Sequence, residues 1–295
     1  MPLNHTFSLT MCNTKLVLKL SVLIIILLLI VFAVLSSVIM PMIKDIMEII
    51  KSVDVSPDQM INHPIITLKE QFIDKCIAYI KASNWQKTLA VIIAVYFCFR
   101  FFLTVTQLPL TKVLHGKMCT GYDVGLFNAF IATGFQNLLL SFVLTVINTA
   151  VNIGFMAGFV TLLRVCFANE VLVAVPFVIL LVVALYSTKS CLLSQWMPEI
   201  CASETKNIFV GIKSATRGTF VKFRKNFLCF YALNLIWVAI FASTLIPTFG
   251  AITLVGIPVF IVTRSILSLT LNFSYHTKKY FVDNGATVYT PEKKF

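Results

Sequence analysis

The chain of 295 residues is 58% hydrophobic and only 12% charged, with a mean hydropathy of +0.91. Because roughly a quarter of the residues in soluble domains are charged, this composition excludes an ordinary soluble protein and predicts an integral membrane protein. The net charge of +12 does not indicate nucleic-acid binding, because the cations lie between apolar runs, where they meet lipid headgroups.

The first apolar run covers residues 20–40 and follows Lys15 and Lys19. It is long enough to cross a hydrocarbon core of about 30 Å. The polar segment 41–87 that follows carries six lysines and six acids, a balance that suits the outer side of the membrane. We expect an outer cap of two short helices here, the second beginning at Thr67; a binding surface for an external partner is the alternative.

Five further apolar runs complete a predicted all-α bundle of six spans. A polar turn from Pro109 to Asp123 is expected between the second and third spans, and Pro176 is expected to interrupt the fourth. The five runs are 88–108, 126–149, 171–196, 227–246 and 251–273.

Polar side chains line one face of the third span. Amides and hydroxyls within lipid need hydrogen-bond partners, so this face should look into the bundle. We expect it to join helices through hydrogen bonds; the alternative is a water-lined path or substrate groove. The residues are Thr133, Asn137, Ser141, Thr145 and Asn148.

The segment 198–226 between the fourth and fifth spans is strongly basic. Its large apolar side chains recur three to four residues apart from position 206 to 230, so one continuous helix would place them in a row. A row of phenylalanines flanked by cations is typical of a helix that lies in a membrane surface. Such a helix either fixes the orientation of the chain or binds anionic lipid. The flanking cations are Lys213, Arg217 and Arg224, whereas Lys222 and Lys225 should face away.

Loop charges predict the topology. The proposed inner segments, including 198–226 and the tail 274–295, are net positive, whereas the outer segments sum to about zero. Both termini should therefore be cytoplasmic. Within the tail, two β-prone runs flank the turn sequence Asp283-Asn284-Gly285, which predicts a small hairpin that must rest on another element.

Three cations are expected within spans, in the inner halves of the even-numbered ones: Arg100, Lys189 and Arg264. If they converge, they form a site for an anionic headgroup. If the spans end earlier than drawn, these side chains simply reach the interface. All twelve acids are expected in connections or tails, so no carboxylate should carry an ion at mid-depth.

The sequence lacks the motifs of the common membrane and phosphate-dependent enzymes. It contains no H-E-x-x-H, no G-x-S-x-G, no P-loop and no C-x-x-C spacing among its eight cysteines. We therefore expect no enzymatic activity, no metal site and no cofactor.

The carboxyl-terminal half resembles a known type of membrane protein in its layout. The features are FRKNF ending the basic segment, a turn at Pro247, Arg264-Ser265 in the last span and the closing KKYFVDNGATVYTP. Over residues 120–291 this layout is similar to uncharacterised bacterial six-helix membrane proteins, which resemble the membrane domain of some glycerophosphodiester phosphodiesterases. The resemblance implies membrane location, and no catalytic residue carries over because no phosphodiesterase domain is present.

These observations lead to one main functional expectation and two alternatives. We expect a non-enzymatic protein of a bacterial plasma membrane that handles or responds to anionic lipid or to a membrane partner. The first alternative is a transporter or channel that uses the polar face of the third span. The second is an accessory subunit that acts with a membrane-protein partner or with a second copy of the chain.

Overall fold

The computed structural model describes residues 2–51, 85–122, 125–168, 175–202, 208–245, 251–282 and 287–290. Within these ranges the chain forms nine helices and one two-stranded hairpin, which confirms the all-α fold. The helices are α1 (Pro2–Cys12), α2 (Thr14–Lys51), α3 (Trp85–Thr120), α4 (Leu126–Ala168), α5 (Val175–Ser194), α6 (Trp196–Ala202), α7 (Ile208–Val221), α8 (Phe223–Leu245) and α9 (Ala251–Tyr275).

Six helical stretches among the described residues are long and apolar enough to cross a membrane. The sixth is the most enclosed, since 61% of its most apolar window is buried inside the protein. The stretches are Thr14–Ser37, Leu89–Thr120, Asn137–Leu162, Pro176–Ala202, Phe223–Thr244 and Gly256–Tyr275.

The expected polar turn at 109–123 is wrong over most of its length, because α3 continues through Pro109 to Thr120. Its hydrophobic residues Leu110, Val113, Leu114 and Met118 recur at helical spacing and are all buried. Burial of this face keeps the segment helical in spite of the proline. The helix ends instead at Gly121, whose positive φ of 76° suits a glycine C-cap.

Other helices also run past their predicted ends. Helix α2, which contains the first predicted span, continues beyond residue 40 to Lys51, so the start of the expected cap belongs to α2. The rest of that cap, including the helix expected at Thr67, lies outside the described residues. Helix α4, which contains the third predicted span, extends beyond residue 149 to Ala168 and is kinked at Gly134, where φ is 44°. Pro176 does not interrupt a helix, because α5 begins at Val175 and the proline lies in its first turn.

The chain divides into two compact units. One contains residues 1–25 together with 101–295, and the other contains 26–100. In the larger unit, one hydrophobic cluster packs Phe230, Leu233 and Trp237 of α8 with Leu267 and Leu271 of α9. A second cluster joins Leu108 of α3, Leu140 and Leu144 of α4 and Met197 of α6.

The amino-terminal residues form α1, which packs on α9. The hydroxyl of Thr10 donates to Thr263, and Thr6 lies 3.5 Å from Thr270. Because small hydroxylated side chains allow helices to approach closely, these threonine pairs hold α1 close to α9.

The tail forms the hairpin that the sequence predicts, with β1 (Tyr280–Phe281) antiparallel to β2 (Val288–Tyr289). The hairpin rests on α1: Nδ1 of His5 lies 2.9 Å from the hydroxyl of Tyr280, and the His5 ring contacts Tyr289 edge-on. A hairpin this short needs such support. Helix α1 and the tail hairpin therefore lie in contact.

Candidate functional site

The expected continuous helix over 206–230 is broken at Lys222, between α7 and α8. The break divides the aromatic row. Phe209 and Phe220 on α7 are 72% and 64% exposed, whereas Phe230 on α8 is fully buried.

Helix α7 packs on the protein through small side chains. Gly211, Ala215, Gly218 and Thr219 form its buried face, and a Cβ added at Gly218 would lie 3.1 Å from the ring of Tyr275. The large apolar residues Phe209, Val210, Phe220 and Val221 therefore point away from the bundle. These four residues form the apolar face of α7.

The basic residues predicted beside this row are solvent-facing. Lys213 and Arg217 are exposed on α7, and Arg224 is exposed in the first turn of α8. Lys222 faces away from the exposed row, as expected, and its Nζ donates to the carbonyl of Ser274 on the bundle side. A cation there stabilises the last turn of α9, where carbonyl groups and the helix dipole are negative.

Two of the three cations predicted within spans meet at one tyrosine. Nζ of Lys189 lies 4.8 Å from the ring centre of Tyr186, and Nη1 of Arg264 donates to the hydroxyl of the same residue over 3.3 Å. Lys189 is only 5% exposed and also donates to Oδ1 of Asn152 on α4. Its ammonium group is thus held inside the bundle, which contradicts the interpretation that Lys189 only reaches for the interface.

The third predicted cation, Arg100, is the last residue of the smaller unit. Lys189 and Arg264 both belong to the larger unit, as do Lys213, Arg217 and Arg224. Within this unit the five predicted cations divide into an internal pair and an exposed group on α7 and α8.

The polar residues of the third span lie on the face of α4 that is turned into the protein. Thr133, Asn137, Ser141 and Thr145 are buried, and Asn148 is partly buried. Asn137 is the centre of this group: its Nδ2 donates to the carbonyl of Val105 on α3 over 2.9 Å, and its Oδ1 accepts from Ser141 over 3.1 Å. The side chain thus joins α3 to α4.

Further along α4, two hydroxyls remain unsatisfied. Oγ1 of Thr145 and of Thr149 are buried without a hydrogen-bond partner among the described residues. Buried hydroxyls usually have a partner, and an internal water is a common one. This part of α4 is the strongest feature in favour of a hydrated path.

The structure also contains a polar site that sequence reasoning missed. Glu199 lies within the apolar stretch Pro176–Ala202 and is buried, so the expectation that no acid lies in a span is wrong. Oε1 accepts from Ser214 of α7, and Oε2 accepts from Asn272 of α9. Nε2 of His276 lies 2.8 Å from the same Oε2.

Three donors around one carboxylate make Glu199 a junction between helices. Its partners come from α7 and from the end of α9, so one side chain of α6 holds both. Beside it is a cavity of about 10 Å³, lined also by Gln195, whose buried Nε2 has no partner among the described residues. This volume fits about one water molecule.

The sequence carried only a faint indication of this junction. Asn272 and His276 are four residues apart and so share a face of the last turn of α9. Glu199 precedes them by 73 and 77 residues, and nothing in the spacing pairs it with either.

The helices, their hydropathy and their internal polar contacts define a multi-pass integral membrane protein. Comparison of the chain with protein-family models, with curated proteins and with solved structures gave no match.

Proposed function

We propose that the protein is a non-enzymatic membrane protein that binds anionic lipid through α7 and the start of α8. The main observation in favour of this proposal is the burial pattern of α7. Its small residues pack against the bundle, whereas its large apolar residues are exposed. Exposing four such residues to water is unfavourable, and burying them in the headgroup region removes that cost.

Charge supports an anionic surface as the target. Lys213 and Arg217 lie at about 40° and 80° around α7 from Phe209, using about 100° per residue, and both are exposed. Arg224 adds a third exposed cation just beyond the break. Each such residue near an anionic membrane surface contributes on the order of 1 kcal/mol of binding free energy.

The internal pair provides a route by which lipid could affect the bundle. Lys189 and Arg264 share Tyr186, and Arg264 lies on the same helix as Asn272, which contacts the Glu199 junction. The junction in turn holds α7 through Ser214. We propose that binding at the apolar face of α7 is coupled to the helix ends through this chain of contacts.

A tryptophan placed at Phe209 tests the proposal in nanodiscs. In a background in which the three native tryptophans are replaced by phenylalanine, we expect Phe209→Trp to emit at shorter wavelength in phosphatidylglycerol nanodiscs than in phosphatidylcholine nanodiscs, and the difference should shrink in high salt. Adding Lys213→Gln, Arg217→Gln and Arg224→Gln should remove most of the difference. The control is Lys278→Gln with Lys279→Gln, which neutralises two exposed cations of the tail. Emission independent of lipid charge would contradict the proposal.

Transport through the polar face of α4 is the second candidate, favoured by the unsatisfied Thr145 and Thr149 hydroxyls and by the buried carboxylate of Glu199. Proton flux into liposomes with an entrapped pH dye tests it. Thr145→Val keeps the shape of the side chain and removes the hydroxyl, so it should reduce flux if α4 lines the path. The absence of flux above that of empty liposomes would exclude a proton path.

A further inference from the structure

The small cavity beside Glu199 lies where four helices meet. Gln195, at the junction of α5 and α6, lines one side of it, and Ser214 of α7, Asn226 of α8 and Asn272 of α9 line the others. All of these residues belong to the larger unit. Because the cavity of about 10 Å³ has room for about one water molecule, polar atoms that face it lie about one hydrogen bond from the same point.

Gln195 supplies a donor to this cavity that has no acceptor in the described part of the protein. Its side chain is only 6% exposed, and its buried Nε2 makes no hydrogen bond to any described residue. Leaving a buried amide group unpaired is costly, so such groups usually meet a protein acceptor or an ordered water. The side chain therefore points to a ligand that carries a lone pair.

Two other lining residues can complete the hydrogen bonding of such a ligand. Asn226 is 6% exposed, and its side chain makes no hydrogen bond to the other described residues. Thr219 of α7 is 1% exposed and donates its hydroxyl proton to the carbonyl of Ala215, so its oxygen can still accept. A buried water typically makes about three hydrogen bonds, and these two residues and Gln195 offer that number.

The surroundings favour a neutral ligand over a cation. Both carboxylate oxygens of Glu199 already have partners in the junction. Nζ of Lys222 lies 5.5 Å from the ring centre of Tyr275, which also lines the cavity. A cation in the cavity would meet this ammonium group and the amide donor of Gln195, and both repel positive charge.

We infer that the cavity binds one water molecule, which accepts a hydrogen bond from Nε2 of Gln195 and bridges it to Asn226 and Thr219. The water adds α8 to the helices that the Glu199 junction joins. The site lies on the buried side of α7, so it does not depend on lipid binding at the exposed apolar face, and either can fail without the other.

Nuclear magnetic resonance of the full-length protein in detergent, with isotope-labelled glutamine, tests directly for the water. The side-chain amide protons of Gln195 should show a rotating-frame Overhauser cross-peak to water, with the sign that a long-lived contact gives. Gln195→Met assigns this resonance by removing it. The absence of such a cross-peak would overturn the inference.

Thermal unfolding in detergent tests the bridge. Gln195→Met and Asn226→Leu each remove one partner of the water and should each lower Tm by about 2–4 °C, as expected for the loss of a hydrogen bond. Because both variants lose the same water, the double variant should lower Tm by much less than the sum. Additive losses would contradict a shared water. A higher Tm in Gln195→Met would show that the cavity is dry, because that variant removes an unsatisfied donor.

Ser194→Ala is the matched control. Its Oγ is also buried without a hydrogen-bond partner among the described residues, but Ser194 does not line the cavity. This variant should keep or raise Tm, and a fall equal to that of Gln195→Met would contradict the assignment of the loss to the cavity.

Exchange of the salt distinguishes water from a metal cation. Replacing sodium chloride by N-methylglucamine chloride should leave the Tm of the unmodified protein unchanged, because water is present in both. A lower Tm without sodium would assign the cavity to the cation and overturn the inference.

Discussion

The side-chain amide of Asn137 on α4 donates to the carbonyl oxygen of Val105 on α3 over 2.9 Å. That carbonyl lies four residues before Pro109, which is inside α3 and has no N–H to offer it. Asn137 thus replaces the hydrogen bond that the proline removes. At this position the polar face of the third span therefore stabilises the neighbouring helix α3.

This relationship predicts a non-additive pair of substitutions. Asn137→Ala leaves the buried Val105 carbonyl without a donor and should cost about 1–3 kcal/mol of unfolding free energy. With Pro109→Ala also present, the new N–H can bond Val105, so Asn137→Ala should cost markedly less. Thermal unfolding in detergent of the four proteins measures the coupling. An equal loss of unfolding free energy on Asn137→Ala, with and without Pro109→Ala, would contradict the conclusion that Asn137 replaces the missing hydrogen bond.

The Glu199 junction should hold α7 against the bundle. Glu199→Ala removes an acceptor shared by three donors and should cost about 3 kcal/mol or more, as expected when a buried charged partner is lost. Hydrogen–deuterium exchange should rise across residues 208–221, because the Ser214 contact is lost. Lys213→Ala alters an exposed residue of the same helix and serves as the control. Unchanged exchange in Glu199→Ala would show that α7 is held by its small-residue packing alone.

The contact between α1 and the hairpin should weaken in acid. Burial lowers the pKa of His5 below its usual 6.5, and burial raises the pKa of Tyr280, which keeps its hydroxyl protonated. Because the folded protein favours neutral His5, this contribution to stability is complete above pH 6.5 and is lost as the pH falls through the lowered value.

Amide exchange of residues 2–12, corrected for its intrinsic pH dependence, measures this effect. It should increase between neutral pH and pH values below the pKa of His5. His5→Asn keeps a hydrogen-bonding side chain that does not titrate, so its exchange should be insensitive to pH in this range. The same response in both proteins would assign the pH effect to another group.

Thr277 should be a site where glycine stabilises the fold. It follows α9 with a φ of 52°, and the amide of Lys278 bonds the carbonyl of Phe273, the pattern of a helix C-cap that normally uses glycine. A β-branched residue is strained in this conformation. Thr277→Gly should be more stable than Thr277→Ala by about 1 kcal/mol, since only alanine keeps a Cβ in the left-handed region. A more stable alanine variant would contradict this geometry.

The sequence was sufficient to predict the number of apolar helices and the tail hairpin. These features depend on local hydropathy and turn residues. The path of α3 past Pro109 was not predictable, because the burial that keeps it helical and the donor that satisfies Val105 both come from other parts of the chain.

The same limit applies to the polar sites. Periodicity could place Thr133, Asn137, Ser141 and Thr145 on one face, but it could not distinguish a satisfied amide such as Asn137 from an unsatisfied hydroxyl such as Thr145. The Glu199 junction combines residues that are distant in sequence. Such sites are created by helix packing, and no local pattern contains them.

The central claim is that the chain crosses the membrane six times with its basic segment on the cytosolic side. Cysteine labelling with a membrane-impermeant maleimide, in a background without the eight native cysteines, tests it most directly. Asp58→Cys should react in intact cells, and Lys213→Cys should react only after the membrane is opened. Reaction of both positions from the same side would contradict the topology, and with it the proposed binding of lipid at the inner surface.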